Sequence, residues 1–288
     1  HNIKEIRNDI KVFKEAKLMN SIIPFRGPIN SQSISCAEDL NYRLIENDKY
    51  GFKNFNSIYK KEINSIILGD SYAEGLCVNN ENDIAGNLNK SKISTINLGV
   101  TGSGPLVSLA VLKEYGNLFK PKNSIYLYFE GNDLDDLNWE KEDTNLIGYL
   151  NDKHKVNYIN NYKDIKIFLE KAAEESENIA RARIKIKGYT KTIKKKKLDL
   201  FKEHLKDIAE LNNLRNIIKF SILKKHNKKY DLNLFYQTIE IMNLETKKWK
   251  GNYIFVYIPT WSRYFTTHTK EASKQKLKSE ILKKIKSK

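Results

Sequence analysis

A serine that directly follows a short apolar run is the residue best placed to do chemistry. Residues 63–68 are apolar and rich in β-branched side chains, which is typical of a strand buried on both faces. The run stops at Gly69, and Asp70 and Ser71 then offer two consecutive helix N-cap side chains. Such a turn lies at the carboxyl edge of a sheet, where open α/β sheets bind ligands, so the Ser71 hydroxyl could act as a nucleophile. A helix-capping role explains the same residues.

Two later apolar runs end in turns of comparable character. Residues 93–98 are followed by a glycine-rich turn at 99–105, and residues 124–129 by a Glu-Gly-Asn-Asp turn at 130–133. Because the carboxyl ends of parallel strands meet at one edge of a sheet, the three turns are predicted to surround a single small pocket.

In this order and context, the three turns resemble the signature blocks of the SGNH (GDSL) hydrolase superfamily. Those blocks are a Gly-Asp-Ser turn, a glycine turn, a Gly-x-Asn-Asp turn and a late Asp-x-x-His pair. The sequence around these turns is similar to that of a bacterial envelope branch of the superfamily, closely over residues 34–150 and loosely over residues 253–264. The resemblance implies a three-layer α/β fold with a doubly wound, flavodoxin-like parallel sheet, here lacking its last strand.

The resemblance also implies roles for individual residues. Ser71 is the expected nucleophile, and its own backbone N–H, the backbone N–H of Gly102 and the side-chain amide of Asn132 are the expected oxyanion donors. Asp70 and Asp133 are expected to support the loops through hydrogen bonds to backbone N–H groups. Gly102 and Asn132 could instead be ordinary turn residues. Neither a cofactor nor a metal ion is expected.

The general base of such a serine is missing from the pattern. No Asp-x-x-His occurs in the 288 residues, and the expected explanation is that the chain ends before the strand that carries the pair. His268 is the best stand-in among five histidines because it follows the loop after the fourth predicted strand, but a histidine of a surface loop is the favoured interpretation. Without a base, activity would fall by several orders of magnitude, so this chain could be inactive. Glu130 replaces the first glycine of the third block, and its carboxylate could narrow the pocket or repel anions.

The elements expected to position these turns alternate between strands and helices. Helices are predicted at 83–90 and 106–119, a fourth strand at 253–258 and a final amphipathic helix at 271–286. This alternation is typical of βαβ units and a parallel sheet. The predicted division is an N-terminal extension packing on the core at 1–60, an α/β core at 61–139 and 251–288, and a basic helical insertion at 140–250.

Positive charge is concentrated in one part of the chain. Residues 181–230 hold 17 lysines and arginines against 4 aspartates and glutamates, which accounts for most of the net charge of +16. This segment could bind an anionic membrane surface or another polyanion, or it could be a solvated helical face. The sequence shows no zinc-ligand spacing, no RNA-binding aromatic signature and no helix-turn-helix pattern, so specific nucleic-acid binding is not expected.

The two cysteines and the first residue of the chain indicate the cellular compartment in which the protein is expected. Cys36 and Cys77 could form a disulfide in an oxidising compartment or stay as two buried thiols in a reducing one. No apolar run is long enough to cross a bilayer, and a chain that begins with His1 fits the removal of a signal or anchor. A cell-envelope location, periplasmic or membrane-anchored, is therefore expected over a cytoplasmic one.

These expectations combine into three alternative functions. The first is a serine esterase that hydrolyses an ester-linked acyl group, such as acetyl, on a glycan or similar substrate. The second is an O-acetyltransferase acting on an envelope polysaccharide, with a sugar hydroxyl in place of water. The third is an inactive scaffold that binds glycan or membrane through the basic segment.

Overall fold

A computed structural model describes residues 27–34, 43–157, 159, 230–260 and 271–286. In these ranges the chain is a mixed α/β fold built on a four-stranded parallel sheet. The basic segment 181–230 lies outside the described residues except for Tyr230. None of the described helices is both long enough and apolar enough to span a bilayer.

The strands and helices follow the apolar runs of the sequence. The strands are β1 (Ser31–Ile34), β2 (Leu44–Asn47), β3 (Ser65–Gly69), β4 (Thr95–Asn97), β5 (Asn123–Phe129) and β6 (Asn252–Ile258). The helices are α1 (Ser71–Glu74), α2 (Ile84–Lys90), α3 (Pro105–Val111), α4 (Asn117–Phe119), α5 (Asp133–Glu140), α6 (Thr144–Gly148), α7 (Leu232–Lys247) and α8 (Glu271–Lys286). A 3-10 turn spans Asn56–Lys60, and a π-helical turn at Leu112–Gly116 joins α3 to α4.

The order of strands in the sheet brings the three turns together. The order is β4-β3-β5-β6, and β3 pairs in parallel with both β4 and β5. In this register Ile66 lies opposite Ile96 on one side and Ser124 on the other. The turns after β3, β4 and β5 therefore leave the sheet side by side at its carboxyl edge.

Helices cover both faces of the sheet because successive strand side chains point in opposite directions. On one face Ile66 and Leu68 belong to the larger core cluster, together with apolar residues of α3, α7 and α8. On the other face Ile67 packs with Ala73 of α1 and Ala85 of α2. This burial explains why β3 is apolar along its whole length.

The predicted α/β class with a parallel sheet is confirmed, and the structure adds three features. The antiparallel pair of β1 and β2 was not predicted, because residues 34–60 lack a regular apolar period. The helix predicted at 106–119 is divided by the π-helical turn. In the predicted insertion at 140–250, α6 and α7 contribute Leu146, Phe235 and Met242 to the larger core cluster. Residues 158 and 160–229 of that insertion lie outside the described residues.

Candidate active site

The turn after β3 places Ser71 at the first position of α1. The N-cap residue is Asp70, whose buried carboxylate accepts a hydrogen bond of 2.9 Å from the backbone N–H of Tyr72. Ser71 itself is only partly buried, and no side chain in the described ranges hydrogen bonds with its hydroxyl. The capping role therefore belongs to Asp70, which leaves the Ser71 hydroxyl available for other chemistry.

The glycine-rich turn after β4, residues 99–104, packs directly against the Ser71 turn. The backbone N–H of Val100 donates to the carbonyl of Gly69 over 2.9 Å. A side chain at Gly99 would place its Cβ only 2.3 Å from the Glu74 nitrogen, so glycine is needed for this close approach. Gly102 has a φ of 74°, in the left-handed region that favours glycine.

The turn after β5 is connected to the Ser71 turn through Asn132. Its side-chain nitrogen donates to Asp136 over 2.9 Å, and the same side chain lies close enough to Asp70 to oppose the rise in the pKa of that carboxyl. Asp133 accepts hydrogen bonds from the Tyr126 hydroxyl at 2.8 Å and from the backbone N–H of Phe129 at 3.1 Å. Asn132 is thus held between two carboxylates, and Asp133 fixes the turn to β5.

The C-terminal end of α1 is held by a buried lysine. The Lys53 ammonium donates to the carbonyls of Glu74, Gly75 and Val78 at 3.2, 2.6 and 2.8 Å, and it forms an ion pair of 3.4 Å with Asp83. Burial lowers the pKa of Lys53, and the negative charge of Asp83 opposes that change. The cation replaces the missing intrahelical partners of these carbonyls and fixes the direction of the short helix.

Just beyond this helix, Cys77 forms a disulfide. The only other cysteine of the chain is Cys36, which lies outside the described residues.

Five carboxyl groups are wholly or largely buried around the three turns: Asp70, Glu74, Asp133, Asp136 and Glu140. Burial raises the pKa of Asp70, while hydrogen bonds from Tyr72 and Asn132 oppose the rise. Burial, reinforced by the nearby charge of Asp70, raises the pKa of Asp133 well above its ordinary value. The raised pKa values mean that bound protons neutralise part of this carboxyl charge, and the fraction that stays ionised disfavours anionic substrates and stabilises a cationic group.

A base for Ser71 does not occur among the described residues. His154 is the one histidine they include, and its ring packs edge-on against Tyr149 with centroids 4.8 Å apart. The backbone N–H of the nearby Val156 donates to Glu114 at 2.7 Å, so the segment after His154 packs against the π-helical turn. His268, the predicted stand-in, and the three remaining histidines lie outside the described residues. No group of three or more His, Cys, Asp or Glu in the described ranges is arranged to hold a metal ion.

Glu130 contacts the loop that follows β6. Its carboxylate accepts hydrogen bonds from the backbone N–H of Thr260 at 3.0 Å and from the Thr260 hydroxyl at 3.4 Å. It therefore ties the loop after β6 to the turn that carries Asn132. The Glu130 carboxylate thus connects two loops of the sheet edge.

The sequence pattern did not indicate Glu74, Glu140 or the exposed aromatic residue next to the serine. Glu74 and Glu140 both hydrogen bond to the glycine-rich turn. The spacing of Asp133, Asp136 and Glu140 was a usable signal, because positions i, i+3 and i+7 share one helix face. Tyr72 is 50% exposed, and its ring packs against Phe129 with centroids 4.2 Å apart.

Two cavities of the described residues lie away from the candidate site. Cavities of about 410 and 450 Å³ lie elsewhere, one lined by Lys53 and α2 and the other between β6, α7 and α8. Neither is lined by Ser71, Gly102 or Asn132. No family model, no curated protein and no solved structure matches the chain.

Proposed function

We propose that the chain is a serine esterase of SGNH type that removes an ester-linked acyl group from a glycan or a similar neutral substrate. The observation that supports this proposal is the joining of three turns at one sheet edge. Gly69 accepts a hydrogen bond from Val100, and Asn132 lies beside Asp70. A hydroxyl, a glycine turn and a carboxamide are thereby held in one neighbourhood.

In the proposed reaction, the Ser71 oxygen attacks the carbonyl carbon of the ester and loses its proton to a base. The oxyanion that forms is stabilised by the backbone N–H groups of Ser71 and Gly102 and by the Asn132 amide. Collapse of this intermediate breaks the bond to the sugar oxygen, which takes up the proton, and leaves an acyl group on Ser71. Water then attacks the acyl-enzyme and releases the carboxylic acid.

The Asn132 amide is suited to this role by its hydrogen bonding. Asp136 accepts from the side-chain nitrogen, which fixes the orientation of the carboxamide. The amide nitrogen carries two hydrogens: one bonds to Asp136, and the other, which faces Asp70, would be shared with or turned towards an oxyanion. Asp136 thus acts as the orienting partner of Asn132.

The environment favours a neutral, ring-containing substrate. The buried carboxyl groups disfavour an anion, whereas the half-exposed Tyr72 ring beside Ser71 offers an apolar face and a hydroxyl to a sugar ring. The same residues would serve an O-acetyltransferase in which a sugar hydroxyl replaces water. An inactive binding scaffold is the competing function, because the Ser71 hydroxyl has no base among the described residues.

The test is covalent labelling of the natural full-length protein with a fluorophosphonate, followed by mass spectrometry, together with hydrolysis of p-nitrophenyl acetate. Labelling at Ser71 and hydrolysis are expected, and both are lost in Ser71→Ala but kept in the control Ser91→Ala, at an exposed serine. Asn132→Ala is expected to lower kcat by about 100- to 1000-fold, the usual effect of losing one oxyanion donor.

Protein that is folded but gives neither label nor hydrolysis would exclude the esterase. The scaffold would then be supported if anionic liposomes bind the protein and the binding is lost when lysines 194–197, outside the described residues, are neutralised.

A further inference from the structure

The glycine-rich turn at 99–104 is held by carboxylates from two different elements. On one side Glu74, the last residue of α1, accepts hydrogen bonds from the backbone N–H of Thr101 at 2.7 Å and from the Thr101 hydroxyl. On the other side Glu140, the last residue of α5, accepts from the backbone N–H groups of Gly104 at 2.5 Å and Leu106 at 2.9 Å. Gly102 lies between the two attachment points.

Glu140 supplies the N-terminal cap that α3 lacks within its own sequence. The N-cap residue of α3 is Gly104, which has no side chain to accept a hydrogen bond. Hydrogen bonds from N–H groups to an ionised carboxylate are about twice as strong as those to a neutral acceptor. Glu140 is buried, so water cannot readily replace it.

Building on the esterase proposed above, we propose that Glu74 and Glu140 form a carboxylate clamp, a pair of positioning residues that aims the Gly102 N–H, and that protonation of Glu140 opens one side of it. The ionised Glu140 accepts from both N–H groups at once. After protonation, one of its oxygens carries a hydrogen and becomes a weaker acceptor. The hydrogen bond from the backbone N–H of Gly104 or Leu106 to that oxygen is therefore weakened.

Protonation of Glu140 falls in the physiological range. Burial raises the pKa of this carboxyl to about 7, although the N–H groups of Gly104, Leu106 and Val107 oppose the rise. The charged and titratable groups near Glu140 are Asp136 on its own helix and the Tyr126 hydroxyl on β5. Asp136 raises the pKa of Glu140 further, and Glu140 in turn raises that of Tyr126.

The sequence allows the two relevant amides to be observed singly. Gly104 is the only glycine that follows a serine, and Gly102 is the only glycine that follows a threonine. A protein labelled with ¹⁵N-glycine and with carbonyl-¹³C serine or threonine therefore gives one amide signal in each carbonyl-filtered NMR spectrum. The full chain carrying Ser71→Ala is used, so that the readout does not depend on hydrolysis.

The Gly104 amide shift is expected to titrate with a midpoint near neutral pH, and the Gly102 amide is expected to follow it. Glu140→Gln should abolish both titrations, whereas Glu142→Gln, at an exposed glutamate two residues later, should leave them unchanged. A Gly104 signal that stays constant across neutral pH, or that titrates equally in Glu140→Gln, would overturn the clamp. The titration of the Ser71→Ala protein remains decisive even if Glu140→Gln does not fold.

The catalytic readout separates the clamp from the proposed function. With Ser71 intact, Glu140→Gln is expected to lower kcat roughly tenfold at high pH with little change in KM, because a small displacement of an oxyanion donor affects the transition state more than substrate binding. A Gly104 titration without any esterase activity would keep the clamp and refute the esterase. Esterase activity together with a constant Gly104 signal would refute the clamp and keep the esterase.

Discussion

Replacing Gly99 by alanine tests whether the glycine-rich turn must touch the helix that begins at Ser71. The alanine Cβ would lie 2.3 Å from the Glu74 nitrogen and 2.7 Å from the Ala73 carbonyl carbon. Ordinary contacts start at 3.4 Å, so the turn has to move away from α1 by about 1.1 Å. Both neighbouring atoms belong to the backbone and cannot rotate aside, so the displacement is transmitted to Gly102.

The expected losses follow from this displacement. A misplacement of about 1 Å near a reacting centre costs on the order of 100-fold in rate, so kcat on p-nitrophenyl acetate should fall by about that factor. Overpacking of this kind costs about 1–3 kcal/mol of stability. For a domain of this size, each kcal/mol lowers Tm by about 2–4 °C, so Tm should fall by about 2–12 °C.

A second glycine provides the matched control. At Gly27 the nearest atom to an added Cβ is the end of the Asn47 side chain, at 3.0 Å, and a side-chain end can shift. Hydrolysis rates and thermal unfolding by circular dichroism are compared for Gly99→Ala, Gly27→Ala and the unchanged protein. If Gly99→Ala keeps the rate and the Tm of Gly27→Ala, the contact between turn and helix does not position Gly102.

Three further outcomes are expected. Lys53→Met should lower the free energy of unfolding in urea by about 3–5 kcal/mol, because the buried Asp83 carboxylate is left without the cation that pairs with it. Lys49→Met, at an exposed lysine over aromatic rings, should change it by less than about 1 kcal/mol. The raised pKa of Glu140 means that the folded state binds the proton of this carboxyl more tightly than the unfolded state does. The stability that Glu140 contributes is therefore complete below the ordinary glutamate pKa of 4.5, and it is lost as the pH rises through about 7. The free energy of unfolding in urea is compared at about pH 4 and about pH 8. Its decrease between these two pH values should be larger in the unchanged protein than in Glu140→Gln by roughly 3 kcal/mol. Mass spectrometry without reductant should find Cys36 and Cys77 joined, and reduction should cost about 4 kcal/mol of stability, whereas two free thiols would contradict the bond.

The sequence was most informative where local pattern and long-range structure agree. The strands of the parallel sheet coincide with apolar runs because a strand covered on both faces, such as β3, has to be apolar throughout. The meeting of the three turns then follows from the parallel arrangement alone. Ser71, Gly102 and Asn132 could be chosen because each lies directly after one of those strands.

The carboxylate clamp could not be predicted in this way. Its hydrogen bonds join Glu74 to Thr101 over 27 residues and Glu140 to Gly104 over 36 residues. No local period encodes such pairings, since they depend on how far each helix extends beyond the sheet edge. The boundary between the predicted insertion and the core was hard to place near α7 for a related reason. The apolar residues of α7 continue the helical pattern of the charged region before it. In the structure, however, α7 packs on the sheet in the connection between β5 and β6.

The charge balance around the Ser71 turn distinguishes it from the other buried polar network near α1. At Asp83, a hydrogen bond from the backbone N–H of Gly86 and then the positive charge of Lys53 oppose the effect of burial on the pKa of the carboxyl. At Asp70, Asp133 and Glu140, the largest opposing contributions come from N–H groups, an amide and a hydroxyl instead of a lysine or arginine. Burial raises the pKa of these carboxyl groups, so part of their charge is neutralised by bound protons, and the fraction that stays ionised gives the sheet edge a negative potential. A serine esterase needs a base that becomes cationic as the hydroxyl loses its proton, and this potential would stabilise a protonated imidazole brought to Ser71. The acidic surroundings of Ser71 therefore suit the one catalytic group that the described residues do not supply.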